Sequence, residues 1–118
     1  MNIRVKDIHS MAKDVLDLTD DGWNRTIYYD ISKLLEEAGE TAECLTKQSA
    51  YPGKKEYKLE DLGDELSDVI IVCFIIAEKK GIGLDEAISR KQKKRIKKLL
   101  DRFHGGNYPE GFTPRVKI

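Results

Sequence analysis

The chain has 118 residues, the size of one domain with a sizeable buried core. Lys plus Arg and Asp plus Glu balance at 21 each, and a net charge of zero argues against broad electrostatic nucleic-acid binding while leaving room for a local basic patch. A charged fraction of 36% beside 40% hydrophobic residues argues against disorder, and the three prolines, all outside the periodic stretches, suit helices.

Periodicity predicts a first helix over about Val5–Leu18, with Val5, Ile8, Ala12, Val15 and Leu16 as its apolar stripe. Thr19-Asp20-Asp21-Gly22 breaks the pattern and offers caps to the next helix. That second helix is predicted over about Asn24–Lys47, with Ile27, Ile31, Leu34, Ala38, Ala42 and Leu45 facing the core. Ser49 to Lys55, with Pro52-Gly53 inside it, reads as a loop. A third helix is predicted over about Leu59–Lys80 with the stripe Leu62, Leu66, Val69, Ile70, Cys73, Ile76 and Ala77, ended by Gly81-Ile82-Gly83. A fourth, over about Leu84–Phe103, begins acidic (Asp85, Glu86) and ends basic (Lys97, Lys98, Arg102), as the helix dipole favours. Gly105-Gly106 stops it, and residues 104–118 form an irregular tail. No strand is required. The expected architecture is one all-α domain over residues 1–118, of four-helix bundle type.

The longest apolar run, Val69–Ala77, is far shorter than the roughly 20 residues that span a bilayer, and the N-terminus lacks the apolar core of a secretory signal. Cys44 and Cys73 lie inside apolar stripes without CxxC spacing, so the expectation is a cytoplasmic protein with reduced thiols and no membrane partner.

Two acidic motifs carry the chemistry. Glu37 and Glu40 on the second helix, and Glu65 and Asp68 on the third, are each three residues apart and share a helix face. At 100° per residue, Glu37 lies roughly 100° and Glu65 roughly 80° from its stripe centre, on the same side, so antiparallel neighbours would bring the pairs together. Ile71, Val72 and Ile75 continue the face of Asp68, so that face is expected to be buried, most simply by a second subunit. Carboxylates converging to about 4 Å repel by about 4 kcal/mol at an effective dielectric near 20. Raised pKa values or a bound cation must relieve this, and an all-oxygen donor set favours Mg²⁺ or Mn²⁺ over zinc. The same spacing also fits a solvated acidic face.

On the fourth helix Lys91, Arg95 and Lys98 cluster beside the stripe of Leu84, Ile88, Leu99 and Phe103, where Lys91 and Arg95 could reach phosphate oxygens; Lys93 and Lys97 point the other way. A solvated helix end fits as well, and a basic run also suits a nucleic-acid or nuclear-localisation segment, a reading the zero net charge weakens. Lys54 and Lys55 are the alternative phosphate donors. Trp23, at the start of the second helix, could stack on a nucleobase or serve as a core staple. Neither histidine falls in an acidic motif, which disfavours a di-iron bundle, and no P-loop or Gly-x-Ser-x-Gly motif is present.

The motifs Glu36-Glu37-Ala38-Gly39-Glu40 and Glu65-Leu66-Ser67-Asp68, with their flanks LLEEAGETAECL and DLGDELSDVIIVCFIIAEKKGI, resemble the Glu-Glu-x-x-Glu and Glu-x-x-Asp signature of the MazG-like all-α nucleoside triphosphate pyrophosphohydrolases. The resemblance covers about Trp23 to Lys98. It implies Glu37, Glu40, Glu65 and Asp68 as Mg²⁺ ligands, with Glu37 and Glu40 the catalytic candidates. It implies hydrolysis of a nucleoside triphosphate between the α- and β-phosphates, and a homodimer or dimer of dimers. Relatives often carry Lys and, four residues later, Asn on the fourth helix; here Lys91 is followed by Arg95. Phosphoribosyl-ATP pyrophosphohydrolases share a similar acidic pattern, and a non-catalytic helical interaction module is the reading from another class.

Overall fold

The computed structural model describes residues 2–50 and 59–117, with side-chain placement left aside for 47–50. Four α-helices account for its regular structure, α1 (Val5–Leu18), α2 (Ile27–Ala50), α3 (Leu59–Lys80) and α4 (Leu84–Phe103), and the described residues contain no strand. Residues 51–55 of the expected loop, including Lys54 and Lys55, lie outside the described residues. Packing divides the chain into two compact units, Met1–Ile82 and Gly83–Ile118.

In the first unit α3 packs against both α1 and α2. The α1 boundaries match those predicted, and its first turn is fixed by the Arg4 backbone N–H, which donates to Asp7 Oδ2 at 2.8 Å. That bond, with the Arg4 side chain, holds the Asp7 carboxyl below its usual range. The second helix starts later than the expected Asn24. Gly22–Asn24 forms a 3₁₀ turn, and Thr26 caps α2 by accepting from the Tyr29 N–H at 3.3 Å. Gly22 is buried, and a Cβ there would lie 2.6 Å from the Leu16 carbonyl oxygen, so only glycine lets the turn press onto the end of α1. Gly81, with φ +68°, ends α3 while the Ile82 N–H reaches back to the Ala77 carbonyl at 2.9 Å.

The inward faces of α2 and α3 depart from the predicted stripes. Ile27, Ile31 and Leu45 are about half exposed (48%, 46% and 48%), and Ala38 and Ala42 are not buried either. Asp30, Thr41 and Cys44 are buried instead, with Lys33, Leu34 and Glu37 half-buried beside them. On α3, Leu66 and Ile70 are about half exposed, Leu62, Val69, Cys73 and Ile76 are not fully buried, and Val72, Phe74 and Ala77 are buried. Helix α2 is therefore turned so that a largely polar row faces inward. The reason is electrostatic as much as apolar. Lys79 Nζ donates to Asp30 Oδ2 at 2.8 Å and to the Arg25 carbonyl at 2.6 Å, with side-chain exposures of only 10% for Lys79 and 9% for Asp30. This pairing requires Asp30 to face α3. Val72 is buried and Ile71 and Ile75 are half-buried, and all three line a cavity together with Val15 and Leu16 of α1 and Tyr29, Asp30, Lys33 and Glu37 of α2.

Helix α1 is tied to α3 by His9, whose Nδ1 lies 2.6 Å from Glu78 Oε1 and whose ring packs edge-on against Phe74 with centroids 4.8 Å apart. In the second unit, α4 has no buried residue, and Ile88, Leu99 and Phe103 of its stripe are exposed. The tail beyond it is non-helical, as expected, with Tyr108 and Phe112 stacked at 5.5 Å.

Removing one partner of the buried pair leaves the other charge stranded. Lys79→Ala should therefore destabilise the fold by about 3–5 kcal/mol. Lys13→Ala, which removes an exposed cation 3.8 Å from Glu78, should change stability by less than about 1 kcal/mol. Denaturant unfolding measures both, and equal small losses would show that the Asp30–Lys79 pair does not orient α2.

Candidate metal centre and adjoining cavity

Three of the four acids that the motifs mark converge. One carboxylate oxygen from each of Glu37, Glu65 and Asp68 lies within 4.8 Å of the others. Glu37 sits on the inward row of α2, two turns beyond Asp30, and Glu65 and Asp68 occupy adjacent turns of α3. The Glu40 carboxyl adjoins both Glu37 and Glu65 but stands at the exposed edge of the group.

The electrostatics of the cluster are unbalanced. Glu37 Oε2 and Glu65 Oε2 are buried with no hydrogen-bond partner among the described residues. Burial is the main cause that raises both pKa values above the ordinary 4.5. For Glu37 the charges of Glu40 and Asp68 add to this, and for Glu65 hydrogen bonding with Glu40 and then its charge. Buried acceptors without donors, beside further carboxylates, fit a hard divalent cation, which would satisfy the orphaned oxygens and reverse the repulsion. Glu37, Glu65 and Asp68 would hold it directly, with Glu40 next to them.

Beside this cluster lies a cavity of about 210 Å³, within the first unit. Its wall is apolar where Leu16 of α1 faces Ile71, Val72 and Ile75 of α3. Polar groups reach it from α2 and the turn before it, namely Arg25, Asp30, Lys33 and Glu37. The Arg25 guanidinium is fixed 4.5 Å above the Tyr29 ring and donates to the Asp20 carbonyl at 3.3 Å. Lys33 pairs with Glu36 at 3.3 Å, and that hydrogen bond raises its pKa, so the ammonium stays charged. Arg25, Asp30 and Lys33 belong to neither acidic motif, and motif reasoning alone misses them. A signal existed: Asp30, Lys33, Glu37, Thr41 and Cys44 recur at helical spacing, a polar row that contains the motif residue itself.

The remaining candidates fall elsewhere. Trp23 is in the 3₁₀ turn next to Gly22, which lines the cavity; its indole N–H donates to Asp17 Oδ1 at 2.7 Å and the residue is 42% exposed. Lys91 and Arg95 are exposed on α4 in the second unit, where Arg95 Nη1 donates to Gln92 Oε1 at 3.2 Å.

The raised pKa values fix a pH dependence. In the unfolded chain Glu37 and Glu65 ionise at the ordinary value, and in the fold they ionise at higher pH. Over the interval between, the folded state binds more protons, so their contribution falls as pH rises through that interval and stays unfavourable above it. Without metal, Glu37→Gln and Glu65→Gln should therefore melt at or above the wild-type temperature at pH 8, and the advantage should vanish below pH 4.5. Added Mg²⁺ should raise the wild-type melting temperature more than that of either variant. Variants less stable than wild type at pH 8 without metal would show that the cluster is not strained by its own charge.

Neither a curated protein nor a solved structure matches the chain. A family model does, described as the MazG-like family and matching residues 31–105, which takes in α2 from Ile31 onward and all of α3 and α4. With that match, and with Glu37, Glu65 and Asp68 brought together by the fold, the chain belongs to the MazG-like family.

Proposed function

We propose that this protein is a cytoplasmic, Mg²⁺-dependent nucleoside triphosphate pyrophosphohydrolase, which converts a ribo- or deoxyribonucleoside triphosphate to the monophosphate and pyrophosphate and so cleans the nucleotide pool. The observation that carries this reading is the pair of buried, unpartnered oxygens on Glu37 and Glu65 beside a cavity that also presents two cations, Arg25 and Lys33. An acidic face open to solvent would not combine these features.

Glu37, Glu65 and Asp68 would hold a divalent cation, Mg²⁺ or Mn²⁺, which when bound would supply charge neutralisation of the triphosphate and polarisation of a water. The protein's own groups do the rest. The apolar wall takes the nucleoside and excludes water, and the ring of Trp23, held by Asp17, is the stacking candidate at the neighbouring turn. Attack of water on the α-phosphorus breaks the bond to the α,β-bridging oxygen, which leaves with the electron pair as part of pyrophosphate. Glu40, at the exposed edge, and Glu37 are the carboxylates to take the water's proton. Arg25 and Lys33, which line the cavity, are candidates to hold phosphate charge. Lys91 and Arg95 of α4 are the candidates from the basic run.

The working form is a homodimer or dimer of dimers. Ile27, Ile31, Leu35 and Leu45 form an exposed apolar row along α2, and Leu66 and Ile70 expose another on α3. Gly39, in the middle of α2, has no atom within 4 Å of the position a Cβ would take. A glycine inside a helix costs roughly 0.5–1 kcal/mol relative to alanine, and close approach of a second copy gives it a reason. Such a row has the length and regularity to pair with itself.

Turnover of a panel of NTPs and dNTPs with Mg²⁺ or Mn²⁺, scored for monophosphate and pyrophosphate, tests the activity. Chelator should abolish it, and Asp68→Asn should do so without loss of helicity. Lys91→Ala and Arg95→Ala should each reduce kcat/KM about ten- to hundredfold, whereas Lys93→Ala and Lys97→Ala should have little effect. Sedimentation of the same preparation should show a dimer or larger. Orthophosphate as the product, full activity in Asp68→Asn, or a helical monomer at micromolar concentration would each contradict its part of the proposal.

A further inference from the structure

The zero net charge of the whole chain hides a division. Gly83–Ile118 holds ten lysines and arginines against four acids, a net charge of +6, and Met1–Ile82 carries the compensating −6. Eight of the ten cations lie on α4 itself, beside only three acids. The second unit is therefore strongly basic on its own, which points to an anionic partner.

Helix α4 combines this charge with an apolar face. At 100° per residue, Leu84, Ile88, Leu99 and Phe103 fall within an arc of about 100°, with Lys93, Lys94 and Lys97 on the opposite arc. The helix buries no residue, and Ile88, Leu99 and Phe103 are exposed. The Arg102 guanidinium stands 5.1 Å from the Phe103 ring, which places a cation at the edge of the apolar face. Just past the helix, the Phe112 N–H donates to the Pro109 carbonyl at 3.0 Å, and this turn stacks Phe112 on Tyr108, both rings exposed. A nucleic acid would neutralise the cations but leave Ile88 and Leu99 in water. The surface of an anionic bilayer answers both features, because its headgroups neutralise the cations and its acyl boundary covers the apolar face. No helix among the described residues is long and apolar enough to cross a membrane. The expectation of no membrane partner rests on the absence of such a span, and a helix lying in the interface needs none.

We propose that α4 is a peripheral membrane-binding element that lies in the plane of an anionic phospholipid surface. Ile88, Leu99 and Phe103 enter the acyl boundary over a helix about 30 Å long at 1.5 Å per residue. The lysines and arginines meet the phosphate and carboxylate headgroups, their long stems covering the margins of the apolar face. Tyr108 and Phe112 sit at the headgroup level, where amphipathic and aromatic rings are favoured. Binding in this form needs neither the acidic cluster nor the apolar row of α2.

Flotation of the full chain with vesicles tests it, comparing phosphatidylcholine alone with equal parts of phosphatidylcholine and phosphatidylserine. The wild type should bind the anionic vesicles about tenfold or more tightly than the neutral ones, and high salt should narrow the difference. Leu99→Glu puts a charge in the apolar face and should weaken anionic binding about tenfold or more. The double substitution Lys93→Glu, Lys97→Glu should weaken it as much through charge alone. Neither variant replaces a buried residue, so circular dichroism should show unchanged helicity. Wild type that stays with the soluble fraction, that binds both vesicles equally, or that Leu99→Glu matches in binding overturns the proposal. So does tight binding of an oligothymidylate by wild type and Leu99→Glu alike without flotation, which would make the basic run a nucleic-acid surface. A smaller sedimenting mass for Leu99→Glu, with no flotation of the wild type, would give the apolar face to a second copy and overturn it as well.

Discussion

Carboxylates buried between two helices have to be neutralised, and the seam between α2 and α3 meets this demand in two different ways. At one end Asp30 is matched by Lys79, which also holds the Arg25 carbonyl and so fixes the start of α2. Two turns further on, Glu37 meets Glu65 and Asp68, and the buried oxygens of the two glutamates find no hydrogen-bond donor among the described residues. The first arrangement orients the helix. The second is made possible by it, because the rotation that points Asp30 at α3 also points Glu37 there, seven residues later on the same face. The fold thus supplies charge compensation where it serves structure and withholds it where a cation from solution can complete the set.

Turning the polar row of α2 inward turns its isoleucines and leucines outward. A chain of this size could be expected to bury its longest apolar stripe against itself, but the stripe of Ile27, Ile31, Leu35 and Leu45 remains open. The small buried set of the first unit, Ala12, Leu16, Cys44, Val72, Phe74 and Ala77, shows how little of the apolar content is used internally. With an exposed stripe on one side and an acidic cluster on the other, the proposed second copy and the proposed cation are the partners that would add stability to this unit.

The amino-acid sequence made some of this legible and hid the rest for definite reasons. The limits of α1, the glycine stop after α3, and the pairing of Glu37 with Glu65 and Asp68 arise from local signals, namely hydrophobic period, a left-handed terminator at Gly81, and acids three residues apart. Which face of α2 points inward is not a local property. Hydrophobic period identifies the apolar side, and it equates apolar with internal only when the chain alone covers that side. Here Ile31 and Ile70 are exposed and Asp30 is buried, so the equation fails on the two helices that carry the chemistry. Asp30 and Lys79 are 49 residues apart, and neither resembles a core residue until the other is placed against it.

The central proposal is that the seam holds a divalent cation, because Glu37 Oε2 and Glu65 Oε2 are buried with no hydrogen-bond partner among the described residues. Titrating Mn²⁺ into the protein, with the spin-resonance signal of the free aqua ion as the readout, tests it without reference to any substrate. The account expects the signal to be suppressed in a saturable, stoichiometric way by the wild type. Glu65→Gln should suppress it at least tenfold more weakly, a difference of about 1.4 kcal/mol. A free-ion signal that the wild type leaves unchanged, or that Glu65→Gln suppresses equally, would contradict it.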